Sequence, residues 1–287
     1  MDLAVVIPAL NCEKEISGQI KALCRQKVGF SWEIVVVDNG STDKTFTNVL
    51  NYSEKVPNLR VIQASSRQGS AFARNIGVRN TQAEVIAFCD ADDEVCDDWL
   101  ENIFIAVKKL KFVVGPRSFS KLNCDSRVKS HREYSTKQEN LFVFRFPPYL
   151  NHGSACNMAI LRYIHESVGG FDENCRFNQD LEYCLRIQKA GYSLHFVPEA
   201  VIEYRLKKTL LGAYNQKRRW GKYYAYVARK HCDDIGLLHR LRFLFGGVRY
   251  FPSNISRIRN RSTLFEFVEY LGGKVGEIQG YFQFLLF

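Results

Sequence analysis

The sequence predicts an α/β protein built on a doubly wound, mostly parallel sheet flanked by helices, with a basic helical extension at its C-terminal end. Three observations carry the fold. The first half holds four short, β-branched apolar runs that do not alternate with polar residues, stretches of helical length separate them, and each run opens into a turn rich in Asp, Asn and Ser. Continuous apolar runs fit strands buried on both faces, and their alternation with helices fits units joined by crossovers.

In chain order, Leu3 to Ile7 is the first strand and runs into Pro8-Ala9-Leu10-Asn11; a helix over Glu13 to Gln26 follows. Ile34 to Val37 is the second strand, opening into Asp38-Asn39-Gly40-Ser41-Thr42-Asp43 and a helix over Thr42 to Ser53. Leu59 to Ile62 is the third, followed by Ser65-Ser66-Arg67-Gln68-Gly69 and a helix over Gly69 to Asn80. Val85 to Phe88 is the fourth, and it ends in Asp90-Ala91-Asp92-Asp93-Glu94 before a helix that starts near Asp97. Ligands of open α/β sheets sit beyond the carboxyl ends of the strands, so these four polar turns define one cleft.

The second half is less regular. Residues 117–150 mix charge, aromatics and Pro147-Pro148, and read as a long excursion or a partly mobile loop. From Gly153 a short strand reaches Ile160, and a turn follows at Gly169-Gly170-Phe171-Asp172. A helix over Asp180 to Ala190, a strand over Tyr192 to Phe196 and a helix over Leu210 to Lys230 complete the reading. Leu237, Leu238, Leu241, Leu244, Phe245 and Val248 share one face of a last helix, which fits an interfacial helix and a core-packed one equally well.

Composition excludes several classes. A chain of 287 residues, 46% hydrophobic and 24% charged, without repeats or low-complexity tracts, is neither a solenoid nor disordered. It opens on a strand without a basic leader, and no stretch approaches the roughly 18 apolar residues of a membrane span, so the expectation is a cytoplasmic protein. Nine cysteines are scattered without a CxxC pair, which favours reduced thiols over a disulfide framework or a zinc site. The net charge of +10 is concentrated: residues 205–261 hold fifteen Lys and Arg against two Asp, a net +13 that leaves the rest acidic. Interleaved with Trp220, Tyr223 and Tyr224, that segment fits either a solvated face or an anionic partner such as phospholipid headgroups or a polyphosphate, which would place the protein peripherally on a membrane. Nucleic acid is not expected, because carboxylates at four strand ends repel phosphates unless a metal is bound.

The acidic run is the strongest chemical signal. Three carboxylates within four residues repel one another at a strand end unless a cation is present, and hard oxygen ligands suit Mg²⁺ or Mn²⁺ bridging to substrate phosphates. A helix cap would use the same residue type. Asp38 can accept from the N3–H of a pyrimidine base, or can belong to a turn before a capped helix. Arg74 can reach a phosphate or base oxygen. Asp180, at the first turn of its helix, has the placement of a general base for a hydroxyl, though an Asp there also suits the helix dipole.

Taken together these residues resemble the family 2 glycosyltransferases of GT-A fold. The resemblance runs over roughly residues 3–230 and rests on Val6-Ile7-Pro8-Ala9-Leu10-Asn11, Val36-Val37-Asp38-Asn39-Gly40-Ser41-Thr42-Asp43, Ala73-Arg74-Asn75-Ile76-Gly77, Phe88-Cys89-Asp90-Ala91-Asp92-Asp93, Gly169-Gly170-Phe171-Asp172, and Gln179-Asp180 with Gly191-Tyr192 and Pro198-Glu199-Ala200. It implies an inverting, non-processive transferase that moves a sugar from a nucleoside-diphosphate sugar, usually a UDP sugar, to a sugar or lipid-linked acceptor in cell-surface polysaccharide, glycolipid or glycoconjugate synthesis. Residues 1–205 would be the catalytic domain, with nucleotide-sugar binding in 1–116, acceptor and base in 117–205, and the basic helical segment in 206–287. The nucleotide would lie against Pro8, Ala9, Asn11, Glu13, Asp38, Arg67, Arg74, Asp90 and Ala91. Asp92 with Asp90 would hold Mg²⁺ or Mn²⁺, Asp180 would be the base, and Asp93, Gly153, Asn157, Gln179, Arg219 and Trp220 would line the acceptor side. Two positions depart from the family pattern: Gln179 stands where Glu is common, and Tyr204 precedes Arg205 where a metal-serving His often stands. Gln216-Lys217-Arg218-Arg219-Trp220 matches a signature of processive synthases, whose several membrane helices this sequence lacks. A nucleotidyltransferase would usually carry a Gly-rich loop with a Lys near the N-terminus, absent from Pro8 to Asn11; a non-catalytic nucleotide- or anion-binding protein is the other alternative.

Overall fold

A computed structural model describes residues 1–123, 141–232, 235–246 and 255–286. The central sheet has seven strands in the order β11-β6-β10-β4-β1-β2-β3. Its first four in sequence are β1 (Leu3–Ala9), β2 (Trp32–Asp38), β3 (Leu59–Gln63) and β4 (Val85–Cys89), all mutually parallel. Leu3 to Ile7, Ile34 to Val37 and Val85 to Cys89 are fully buried, as runs without alternation predict. In register, Ala9 lies opposite Asp38 and Asp38 opposite Gln63, which sets their carboxyl ends at one level. Beyond β4 lie β6 (Phe112–Val114), β10 (Asn157–Leu161) and β11 (His195–Phe196). Only β10 runs antiparallel, between β4 and β6. Its direction was not readable beforehand, because a central strand is apolar on both faces whichever way it runs.

Helices α1 (Ile16–Cys24), α2 (Thr45–Ser53), α3 (Ser70–Arg79) and α4 (Trp99–Leu110) cover the sheet. The first two begin about three residues later than their patterns suggest, because Glu13 and Asp43 belong to turns that bond to each other. Helix α3 packs through Ala71, Ala73, Gly77 and Val78, all buried. A methyl on Gly77 would press into the side chain of Val6, with Val37 at 3.2 Å behind it. Gly77→Ala is therefore expected to destabilise the fold by about 1–3 kcal/mol through overpacking, read as a lower urea midpoint; an unchanged midpoint would mean that the sheet yields there.

Smaller elements frame the cleft: β5 (Glu94–Val95), β12 (Ile202–Glu203) and β7 (Arg117–Ser118) form a three-stranded sheet, and β8 (Phe142–Val143) pairs with β9 (Asn151–His152). Residues 124–140 of the expected excursion lie outside the described residues. Two more helices, α5 (Arg162–Ser167) and α6 (Gln179–Lys189), follow β10.

The C-terminal part is helical, as expected. Helix α7 (Leu210–His231) begins with Thr209 accepting from the Gly212 amide, α8 spans Leu237–Phe245, and α9 (Arg261–Gly280) opens on a capping box of Asn260 and Thr263. Helices α7 and α9 meet backbone to backbone. Gly272, Gly276 and Gly280 lie against the carbonyls of Tyr214, Arg218 and Lys222, and Gly221 against that of Gly273. Any side chain at these glycines would separate the pair. In helix α8 Phe243, outside the expected face, is buried against Phe146 (5.6 Å) and Tyr224 (6.2 Å), whereas Leu238 and Phe245 face outward, 75% and 61% exposed. Val248 and the side chain of Leu237 lie outside the described residues.

Candidate active site

Asp38 ends β2 and is buried. Its Oδ2 accepts from the Ser41 amide at 3.3 Å, and its Oδ1 is buried without a partner. A buried polar oxygen without a donor is costly, so the position is built to receive one. The next residue fixes the surroundings: Asn39 donates to the carbonyls of Ala64 (2.6 Å) and Arg67 (2.8 Å) and accepts from the Gly69 amide (2.6 Å). Asn39 thereby clamps the loop after β3 to the end of β2. Gly40, at φ 85°, takes the left-handed conformation that the turn requires. The Asn11 carboxamide accepts from the Thr42 amide (2.8 Å) and the Glu13 carboxylate from the Lys44 amide (3.0 Å). These two side chains join the loops after β1 and β2. Pro8 and Ala9 pair with Val37 and Asp38, and Arg67 bonds to the Glu173 carbonyl and to Asn174.

The acidic run follows β4. Arg74 on α3 is almost fully buried; its Nη2 donates to Asp90 at 2.6 Å, its Nε and Nη1 have no partner, and the guanidinium lies over the Phe171 ring. Gln19 on α1 holds the run from the other side, donating to the Asp90 carbonyl and accepting from the Val95 amide. Ala91 is buried between them. Asp93 is buried, with Oδ1 accepting from the Arg205 amide at 2.8 Å and Oδ2 orphaned. Asp92 is more open, its carboxylate 3.3 Å from Lys207 and its carbonyl bonded to Arg205. None of these carboxylates caps α4, whose N-cap residue Asp98 makes no side-chain cap bond.

Burial and the repulsion of Asp92 and Asp90 push the Asp93 carboxyl well above the usual range; Asp90 is raised by burial against the opposing pull of Arg74. Ligand atoms of Asp90, Asp93 and Cys156 lie within 4.8 Å of one another. The Cys156 thiol is pushed well up by burial and stays protonated, so the donors on offer are hard carboxylate oxygens. The residues present fit Mg²⁺ or Mn²⁺: a divalent ion would relieve the repulsion and satisfy the orphaned Asp93 oxygen. Tyr204 is partly buried, its ring 5.7 Å from Phe119 and under the Arg117 guanidinium. Burial and Asp93 hold its phenol protonated, so it supplies nothing like an imidazole ligand.

Asp180 is the second residue of α6, with Oδ1 accepting from the Leu181 amide at 2.9 Å. Asn178, left-handed at φ 56°, donates to the Trp220 carbonyl, and Gln179 donates to Ser70 at the start of α3. These two bonds fix the helix start between α3 and α7. The Asp180 charge raises Asp90 and also acts on His152, whose pKa burial and Arg117 lower to about 4.

Gly153 allows close approach, since a methyl there would sit 2.7 Å from Val114. Asn157 corrects an expectation. It is fully buried, accepting from the Trp99 indole (2.8 Å) and donating to the carbonyls of Ala200 (2.7 Å) and Pro116 (2.9 Å). It therefore braces the floor of the cleft rather than facing an acceptor. Arg219 lies over Phe177 and Lys217 over Trp220, on the side of α7 nearest the start of α6. Sequence reasoning missed Gln19, Arg117, His152 and Lys207. The only hints were that His152 precedes the flagged Gly153 and that Lys207 lies in the basic run.

The seven-stranded sheet, its polar carboxyl ends and its acidic strand terminus together define a GT-A protein. The chain belongs to Glycosyl transferase family 2, whose sequence profile matches residues 4–169. It is 27% identical over 202 residues to the glycosyltransferase AglE of Haloferax volcanii, covering 69% of this chain and 65% of AglE. It is also 26% identical over 249 residues to the minor teichoic acid biosynthesis protein GgaB of Bacillus subtilis, covering 82% of this chain and 26% of GgaB. The chain thus spans less than two thirds of both relatives. Among solved structures, the mannosyltransferase PcManGT of Pyrobaculum calidifontis, in complex with GDP-Man and Mn²⁺, superposes with a TM-score of 0.67 at 17% identity, covering 99% of this chain and 87% of that one.

Proposed function

We propose that the protein is an inverting glycosyltransferase that moves a sugar from a UDP sugar to an acceptor hydroxyl in cell-surface glycan synthesis. The observation that carries this reading is the convergence of Asp38, with its orphaned oxygen, the Arg74–Asp90 pair and the carboxylates of Asp92 and Asp93 at the carboxyl ends of β2 and β4, the two parallel neighbours of β1. Asp180 opens α6 next to Gln179, which is bonded to Ser70 at the start of α3, the helix that carries Arg74. Asp38 receives the base N3–H on its orphaned oxygen. Arg74 aims its two unpartnered nitrogens at the ribose and diphosphate. The acceptor oxygen attacks the anomeric carbon as its proton passes to Asp180, while the bond from that carbon to the β-phosphate oxygen breaks and UDP leaves with the electron pair. A divalent cation would be held by Asp92 and Asp90, with Asp93 beside them, and would supply charge where the leaving diphosphate becomes more negative. The division into nucleotide-sugar (1–116), acceptor (117–205) and basic helical (206–287) parts follows from the same assignment. A screen of UDP, GDP and dTDP sugars for nucleotide release with Mg²⁺ or Mn²⁺ tests it, with greatest release expected from a UDP sugar. Release only from nucleoside triphosphates and sugar phosphates would instead make the protein a nucleotidyltransferase.

No helix among the described residues is long and apolar enough to cross a membrane. The basic segment 205–261 nevertheless carries outward Leu238 and Phe245, and we assign it to an anionic membrane surface. The protein is expected to sediment with anionic liposomes at low salt and to be released at high salt, at about 1 kcal/mol per engaged cation. Failure to bind at any ionic strength would remove this assignment.

A further inference from the structure

A cleft of about 690 Å³ opens between α7, the turn before α6 and the π-helical turn Tyr281–Leu285. Its walls bring together four cations, Arg176, Arg218, Arg219 and Lys222, and among the described residues no carboxylate lines it. Arg218 Nε is buried without a hydrogen-bond partner, although its Nη1 lies 3.5 Å from the Gln279 side chain. Four like charges gathered without a counter-charge repel one another, and a bound anion removes that cost. The rest of the lining combines Gln279 and Gln283 with aromatic and aliphatic side chains. Phe177 lies edge-on to Tyr223 at 5.4 Å and beneath the Arg219 guanidinium, and Phe282 stands at the rim, 56% exposed, beside the half-exposed Ile278.

The position matters as much as the charge. Arg176 and Phe177 form one wall, and the same short segment continues through Asn178 and Gln179 into Asp180. Asn178 is bonded to the Trp220 carbonyl on α7, so the wall of the cleft and the carboxylate are held in one frame. The donor cleft at the strand ends uses Asp38 and Arg74 and none of these cations.

We propose that this cleft holds the phosphate of a lipid-borne acceptor, the cations taking the phosphate oxygens and Phe282 with Ile278 taking the first part of the apolar chain. Guanidinium groups match phosphate geometry, and an exposed aromatic rim beside them suits a hydrocarbon rather than water. The assignment rests on the glycosyltransferase reading, in which an acceptor as well as the donor must reach Asp180.

The test uses the full chain saturated with UDP and Mg²⁺, so that the donor site is closed to the probes, titrated calorimetrically with farnesyl phosphate, farnesol and oligo(glycerol phosphate). Farnesyl phosphate is expected to bind, and the combined Arg176→Gln, Arg219→Gln, Lys222→Gln variant to bind it at least tenfold more weakly, with UDP affinity unchanged as the control for folding. Phe282→Ala is expected to weaken farnesyl phosphate several-fold without affecting UDP. Oligo(glycerol phosphate) binding as tightly as farnesyl phosphate, with no effect of Phe282→Ala, would keep the phosphate site and overturn its lipid source. Equal binding of farnesol and farnesyl phosphate, or unchanged affinity in the triple variant, would overturn the site itself. So would binding to anionic vesicles without binding of either soluble phosphate, since that describes a surface patch and not a cleft. Each of these failures leaves UDP binding in place; loss of UDP binding by the unmodified chain would count instead against the glycosyltransferase reading.

Discussion

Asp180→Asn is expected to lower kcat for sugar transfer by about 10³-fold, inside the 10²–10⁴-fold range of general-base catalysis, while UDP affinity stays unchanged. The substitution is conservative in every respect but one. An Asn carbonyl oxygen can still accept from the Leu181 amide, so the first turn of α6 keeps its local bond. Neighbouring Asn178 and Gln179 retain their partners on α7 and α3. What disappears is an oxygen able to take a proton from the acceptor hydroxyl. Because Asp38 and Arg74, the proposed nucleotide ligands, lie on other elements, a fall in kcat without a change in UDP affinity would separate chemistry from donor binding. His152 cannot take over in its present setting: its low pKa makes it a neutral imidazole at pH 7 but a weak base, and its ring is stacked on Phe142. Near-normal turnover of the variant would refute the assignment of the base.

What the sequence made legible, and what it hid, divides along a physical line. The four parallel strands could be read because burial on both faces leaves a local mark, an unbroken apolar run. Asp38 and the acidic run could be read because a carboxylate directly after such a strand is local as well. The direction of β10 could not, since its burial pattern is the same either way. Asn157 was misjudged because being buried and hydrogen-bonded to Trp99 and Ala200 is a property of distant partners. Lys207 beside Asp92 and Arg117 over Tyr204 are encounters between elements separated by long stretches of chain, and no periodicity announces them. The Gly272, Gly276 and Gly280 seam is a middle case. Its spacing of four is visible in the sequence, but only the presence of α7 against it shows what the spacing serves.

Asp92→Ala is expected to weaken UDP binding in the presence of Mg²⁺ or Mn²⁺ by about 10²-fold, the scale of losing one preorganised electrostatic partner, and to leave metal-free UDP binding nearly unchanged. The contrast follows from how the three carboxylates are held. Asp90 is paired with Arg74 and Asp93 is anchored to the Arg205 amide, so removing either would strand a buried partner and disturb the fold. Asp92 is the most open of the three, and its carboxylate faces only Lys207 at 3.3 Å. Its loss frees that ammonium, which can then meet a phosphate oxygen itself and sustain the metal-free affinity. Titrating UDP with excess cation and again with a chelator, for both proteins, gives four affinities whose ratio isolates the coupling. A chelator effect of the same size in the variant would show that Asp92 does not hold the cation, and would leave Asp90 with the orphaned oxygen of Asp93 as the donors.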